Sequence, residues 1–222
     1  MIESRHSPSD QHATMLHTIL LDRLSEMPRL WIALRWLVED GFRGEKEVIA
    51  RELRPWEDVG QRQFLDFGCG TGAFASSFPA QSYTGFDPAR HYIGYAGRMS
   101  GRRFAIMAGE ALGLANTYFD ASLVLGVFHH LDDTIGREAA AELYRVMKPG
   151  GKLLVIEDIE PSWWNIPGHL MHWIDRGKFI RSDTDYQALF RPYFRLQKTY
   201  QMRSGICDYG IYVLERVPVD LV

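Results

Sequence analysis

Apolar and polar positions along the chain follow two alternating periods, and their order predicts the architecture. Apolar runs of strand length occur at Phe64–Phe67, Tyr83–Asp87, Phe104–Met107, Asp120–Val127 and Lys152–Glu157. The Asp120 run is apolar throughout after Ser122, as a strand covered on both faces should be. Between these runs lie helical patterns: Ala89–Met99 with Ile93 inward, and Thr134–Met147 with Ile135, Ala139, Leu143 and Val146 on one face. Alternation of this kind predicts parallel βαβ units and a doubly wound α/β sheet. Downstream, Asp183–Phe190 reads as a helix capped by Ser182 or Asp183, and Arg195–Gln201 and Asp208–Arg216 read as two last strands. Upstream, Met15, Leu16, Ile19, Leu20 and Leu24 fall at helical spacing. Pro28 then suits the first turn of a helix over Arg29–Glu39, with Leu30, Trp31, Leu34, Leu37 and Val38 on an apolar face. A third helix, Glu45–Leu53, precedes Pro55. Residues 1–55 are therefore read as a helical extension, either a cap over the site or plain packing, and residues 56–222 as the sheet domain.

The punctuation between elements carries the chemistry. Phe64–Phe67 stops at Gly68, Gly70 and Gly72, and Ala73–Phe78 is predicted to begin a helix before Pro79. A tight turn after a strand needs residues without a Cβ where the chain reverses and where a ligand touches it. A helix start behind it would aim free N–H groups at an anionic or polar ligand. Gly68-x-Gly70-x-x-Ala73 also satisfies the dinucleotide fingerprint, so the glycines alone leave the nucleotide open. Asp66 precedes the first glycine, and Asp87 closes the next strand about 20 residues on, where it can take two ribose hydroxyls. Lys148-Pro149-Gly150-Gly151 stops the later helix.

Composition narrows the class. The chain has 222 residues, 46% hydrophobic and 24% charged, which suits one globular domain with an appended cap. A formal net charge of -3 gives no basic field, so no nucleic-acid partner is expected. Two cysteines make no disulfide framework. The polar N-terminus lacks the apolar stretch of a signal peptide, and the run Leu30–Val38 is too short and too interrupted by Arg35 to span a bilayer. A cytoplasmic protein is expected. The helix bearing Trp31, Trp36 and nearby arginines suits peripheral membrane contact, the one surface partner the sequence suggests. No pattern specifies an oligomer.

In order, LDFGCGTG, GFD, AGEALGL, YFDASLVLGVFHHLDD and LYRVMKPGGKLLVIED resemble a class I S-adenosylmethionine-dependent methyltransferase of the small-molecule, quinone-biosynthesis-like variety (methyltransferase type 11). The match runs from about Phe64 to Asp158. The resemblance implies a Rossmann-like, seven-stranded, mostly parallel sheet with the final strand inserted antiparallel. It implies S-adenosyl-L-methionine as cofactor, held by the turn Gly68, Cys69, Gly70, Thr71 and Gly72. Asp66 would order that turn or receive the amino group, and Asp87 with Pro88 would lie at the ribose. Gly109, Glu110 and Ala111 would flank the adenine, and Gly126 and Val127 would border the transfer site. The acceptor would be a small or lipid-like molecule.

Other candidates come from the residues themselves. His129 or His130 is a candidate general base for a hydroxyl or amine acceptor, its pKa lying near neutrality. Trp163, Trp164, His169 and Trp173 follow the ligand-bearing end of a strand and are read as acceptor-pocket lining. Metal is not expected: neighbouring histidines at a strand end should point in opposite directions, and no carboxylate trio accompanies them. Tyr144-x-x-x-Lys148 matches the tyrosine–lysine pair of short-chain dehydrogenases. That chemistry needs both side chains on one continuing helix, and Pro149 argues against it.

Overall fold

The computed structural model describes residues 27–53, 62–99, 101–169 and 178–218. The expected helix at Met15–Leu24 and the candidate Trp173 lie outside the described residues. The strands are β1 Phe64–Phe67, β2 Tyr83–Asp87, β3 Arg103–Ile106, β4 Phe119–Leu125, β5 Met147–Asp158, β6 Phe194–Ser204 and β7 Cys207–Arg216. They form one seven-stranded sheet in the order β3-β2-β1-β4-β5-β7-β6. β1 to β5 pair in parallel, and β7 enters antiparallel between β5 and β6. Strand order reverses between β1 and β4, so a crevice opens at their carboxyl ends, where open α/β sheets bind ligands.

The helices are α1 Pro28–Val38, α2 Arg43–Leu53, α3 Arg90–Ala96, α4 Asp133–Val146 and α5 Asp183–Phe190. Alternate strand residues feed two cores, one on each face of the sheet. Leu65, Phe67, Leu153, Val155 and Tyr212 pack with Ala139 and Leu143 of α4 and with Tyr186 and Phe190 of α5. Phe64, Leu123, Leu154 and Ile211 pack with Val48, Ile49 and Leu53 of α2. A parallel sheet needs both faces covered, and this one has that cover.

Three local expectations change. No α-helix follows the glycine turn; residues 75–77 make one 3-10 turn, and Phe78 is already extended at φ -120, ψ 153. Pro79 pushes the residue before it out of the helical region, leaving too few residues to nucleate a helix. α4 ends one turn before the glycines, because Met147 turns extended at φ -81, ψ 151 and pairs with Phe119. The left-handed residue is Gly150, at φ +73, inside the irregular start of β5. Finally, α1 has no buried residue, and Leu37 on its expected apolar face is 72% exposed.

That inversion follows from where α1 lies. It touches α3 and meets the β6–β7 turn, where Ile206 N–H donates to Val38 O at 3.0 Å. The helix therefore crosses the polar carboxyl ends of the strands, and its inward side chain is Arg35. The guanidinium binds Glu39 at 2.6 and 2.9 Å and faces Asp158 and Tyr209. α2 packs on one face of the sheet, and α1 lies against α3 and the β6–β7 turn.

One buried acid joins these helices to the sheet. Ser204 Oγ lies 2.9 Å from Glu39 O and 2.6 Å from Glu45 Oε2. One hydroxyl proton cannot serve two acceptors. A protonated Glu45 resolves this by donating to Ser204 Oγ while Ser204 donates to Glu39 O. Burial pushes the Glu45 carboxyl up to about 7, with Ser204 opposing and Glu39 adding to the rise. A folded-state pKa raised from 4.5 to about 7 means that the folded chain holds a proton the unfolded chain releases across that window. Glu45 thus contributes stability that is complete below about pH 4.5 and lost as pH rises to about 7. Glu45→Gln keeps a donor toward Ser204 without the charge. It is expected to add about 2–3 kcal/mol of stability at pH 8 and little at pH 4, read by urea unfolding. An equal gain at both values would refute the buried proton.

Candidate cofactor and methyl-transfer site

The glycine turn is left-handed at all three positions, with φ +73 at Gly68, +50 at Gly70 and +74 at Gly72. A Cβ at Gly68 would lie 2.5 Å from Val127 Cγ2, and one at Gly72 would lie 3.3 Å from Ala96 and Phe104. At Gly70 it would meet nothing within 4 Å. The outer glycines serve close packing, whereas Gly70 opens a cradle into the crevice. Asp87 ties this cradle to β2: Oδ2 accepts Gly70 N–H at 3.0 Å and Oδ1 accepts Ala89 N–H at 2.8 Å. Each oxygen keeps a further lone pair for a ligand hydroxyl. Cys69 N–H continues the ladder onto Phe86 O at 2.8 Å. Cys69 and Thr71 are buried beneath the turn, and Pro88 is exposed beside it.

Asp66 is buried, and Tyr83 Oη donates to its Oδ2 at 2.6 Å. Burial pushes this carboxyl up to about 7, the tyrosine bond opposes the rise, and Asp87 adds to it. Of the two roles read from sequence, the contact made is the structural one, across β1 and β2 beneath the turn.

Ala108 and Ala111 bridge around Gly109, whose Cβ would lie 2.7 Å from the Phe67 ring. Leu112 N–H reaches Glu142 Oε2 at 2.8 Å, and Arg145 donates to Leu112 O and Leu114 O at 2.8 Å each. α4 thereby staples the loop that presents Glu110 and Ala111, both exposed at the crevice rim.

Beyond β4, Gly126 turns left-handed at φ +65 and its N–H meets Ile156 O at 2.9 Å. Phe128–His130 then form a 3-10 turn rather than more strand. In consequence the two imidazoles lie side by side, with ring centroids 4.0 Å apart, which corrects the expectation that they diverge. Asp132 caps α4 by accepting from Thr134 N–H and Ile135 N–H at 2.9 Å. Among the described residues no group of three His, Cys, Asp or Glu side chains is arranged to hold a metal ion.

The sequence reading missed the two groups that hold this turn. Glu157 is fully buried at the carboxyl end of β5. Its Oε1 accepts Val127 N–H at 2.9 Å and Phe128 N–H at 2.7 Å. Its Oε2 lies 3.3 Å from His129 N and 2.9 Å from His129 Nδ1. From the opposite side Arg181 donates to Phe128 O and Leu131 O at 2.7 Å each and to Asp133 Oδ1 at 2.8 Å. One carboxylate takes the N–H groups and one guanidinium binds the carbonyls. A lone acid inside the apolar run Lys152–Glu157 was the available signal for Glu157; nothing local marked Arg181.

Among the described residues, three members of the proposed aromatic lining lie at the surface. Trp163 is 89% exposed, and Trp164 and His169 are also exposed. The Arg203 guanidinium stacks on Trp164 at 4.0 Å. Asn165, between them, is buried and bonds Ile206 O and Asp208 Oδ2 at 2.9 Å each, which fastens the segment to the β6–β7 turn. Tyr144 stacks under Arg216 at 4.1 Å, while Lys148 pairs with Asp120 at 2.9 Å beyond the end of α4. That placement removes the dehydrogenase pair.

The strand order, the antiparallel seventh strand and the cradle after β1 define the Rossmann-like methyltransferase fold. Residues 65–155 match the methyltransferase domain family, and named methyltransferases are among the proteins to which this chain is similar. It is 31% identical over 173 residues to an O-methyltransferase of Pyrenophora dematioidea, a match covering 72% of this chain and 62% of that protein. It is 30% identical over 112 residues to a ubiquinone/menaquinone biosynthesis C-methyltransferase of Desulfotalea psychrophila, covering 47% and 45% of the two chains. The matches thus span about half to three-fifths of these two curated relatives. A geranyl diphosphate C-methyltransferase of Streptomyces coelicolor, solved with S-adenosyl-L-homocysteine, shares the fold at TM-score 0.62 and 14% identity, over 78% of this chain and 75% of that one. Among the described residues no helix is long and apolar enough to cross a membrane.

Proposed function

We propose that this protein transfers a methyl group from S-adenosyl-L-methionine to a small or lipid-like acceptor. The supporting observation is the left-handed glycine turn, open at Gly70 and tied to the Asp87 carboxylate. Bound there, S-adenosylmethionine supplies an electrophilic methyl carbon on a positively charged sulfur. The work left to the protein is alignment and exclusion of water. Gly68, Gly70 and Gly72 let the backbone approach the methionine portion, and Asp87 accepts the ribose hydroxyls. Glu110 and Ala111 border the adenine, and Gly126 and Val127 border the transfer site. His129 or His130 takes the proton of a hydroxyl or amine acceptor. α1 closes the acceptor side, with Trp163, Trp164 and His169 at its margin.

The lipid-like class is supported by exposed Leu30, Trp36 and Leu37 on α1, which suit peripheral contact with a bilayer. A cytoplasmic location and the absence of a nucleic-acid partner belong to the same reading, which rests there on net charge. Co-sedimentation of the intact chain with anionic phospholipid vesicles tests the membrane contact, and a chain left wholly in the supernatant would remove it.

The cofactor is tested by thermal unfolding with S-adenosylmethionine, S-adenosylhomocysteine, NADH or NADPH added separately. A ligand at about 100 times its dissociation constant adds about 2.7 kcal/mol. Stabilisation by the two sulfur nucleosides alone is expected. Stabilisation by a nicotinamide cofactor instead would overturn the proposal.

A further inference from the structure

We propose that Glu157 is a positioning residue that fixes His129 as the Nδ1–H tautomer and leaves Nε2 as the basic nitrogen of that ring. This rests on the methyl-transfer reading above and names a basic nitrogen within that site.

Three consecutive backbone N–H groups, those of Val127, Phe128 and His129, converge on the two oxygens of Glu157. Backbone amides cannot reverse polarity, so the group facing them must accept, as a carboxylate does. With Oε2 committed as an acceptor, a hydrogen bond to His129 Nδ1 at 2.9 Å requires the proton on nitrogen. Asp158 Oδ2, 3.4 Å from the same Nδ1, favours the same proton position. The lone pair then belongs to Nε2. Cε1, the ring carbon between the two nitrogens, faces Gly126, with 3.5 Å to where a Cβ would stand. A Cβ at position 126 would rest in ordinary contact with that ring edge.

Several groups face the imidazole among the described residues. Glu157 and Asp158 come from β5, and His130 stacks from the same turn. Tyr186 of α5 donates to Asp158 O at 3.2 Å, and Arg181 holds the turn through Phe128 O. Two carboxylates at Nδ1 strengthen Nε2 as a base, the arrangement used wherever a carboxylate orients a histidine. The step balances. The acceptor O–H or N–H proton moves to Nε2, its electron pair forms the bond to the methyl carbon, and the carbon–sulfur pair stays on sulfur.

The test is a long-range 1H–15N correlation of histidine-labelled protein, without any acceptor. Wild type is expected to show His129 with Nδ1 protonated and Nε2 unprotonated above its pKa. Glu157→Gln keeps an oxygen for the backbone amides but presents an amide N–H to Nδ1. It should switch His129 to the Nε2–H tautomer. Asp158→Asn should leave the tautomer unchanged. An Nε2–H tautomer in wild type, or no switch in the Glu157→Gln protein, would overturn the proposal. If Glu157→Gln fails to fold, the wild-type tautomer alone decides. Binding of S-adenosylmethionine to wild type, measured by calorimetry on the same sample, reports separately on the methyl-transfer reading.

Discussion

Asp87→Ala is expected to abolish measurable S-adenosylmethionine binding. In the folded protein the Asp87 carboxylate does two things at once. It holds the Gly70 and Ala89 amides at 3.0 and 2.8 Å, and it presents remaining lone pairs at the end of β2 beside the cradle. Hydrogen bonds to a charged acceptor are worth about 1.5–3 kcal/mol each, so losing two ribose contacts weakens binding by more than about 100-fold. Untethering Gly70 adds to the loss. The apo fold should survive, because the released amides sit in a turn where water can replace the carboxylate. A fall of about 1–2 kcal/mol in unfolding free energy is expected. Calorimetric titration with S-adenosylmethionine, beside urea unfolding of the apo protein, measures both. Affinity within threefold of wild type would break the assignment of this turn.

Gly68→Ala and Gly70→Ala should separate the two jobs of the glycine turn. At Gly68 the left-handed φ of +73 costs an alanine about 1–2 kcal/mol, and its Cβ would press on Val127 Cγ2 at 2.5 Å. Val127 is half-buried and packs against the core, and overpacking typically adds about 1–3 kcal/mol. Gly68→Ala should therefore lose about 2–4 kcal/mol of stability. It should lose cofactor binding as well, because Val127 borders the transfer site. At Gly70 the same substitution meets open space, so only the backbone strain remains, about 1–2 kcal/mol. Its methyl group would instead stand in the cradle and block the ligand. The expected pattern is severe instability for the first variant and near-normal folding with lost S-adenosylmethionine binding for the second. Equal binding by Gly70→Ala and wild type would show that the cradle is not where the cofactor rests.

The sequence by itself determined the strand–helix alternation, the glycine turn with Asp87, and hence the sheet. These are local facts. A strand buried on both faces must be continuously apolar, and a chain reversal at a ligand must be glycine, so both leave marks in consecutive residues. It also announced α4 through its periodicity, and Asp132 at its cap is an ordinary helix start. What it misjudged were matters of where an element comes to rest. Phe78 before Pro79 went extended instead of completing a helix. Leu30 and Leu37 of the expected apolar face of α1 stayed outside, while Arg35 turned toward Asp158 at the end of β5. The paired histidines fell on a 3-10 turn instead of a strand, which set their rings side by side. Only the tertiary structure could assemble the turn that carries them: Glu157 lies 28 residues from His129, and Arg181 reaches Phe128 across 53. Spacing along the chain carries no record of such contacts. They exist because β4 and β5 are neighbours in the sheet and because Arg181 enters α5 beside the start of α4. The proton chemistry proposed for this turn accordingly depends on the folded sheet, whereas the glycine turn itself is legible in eight consecutive residues, Leu65 to Gly72.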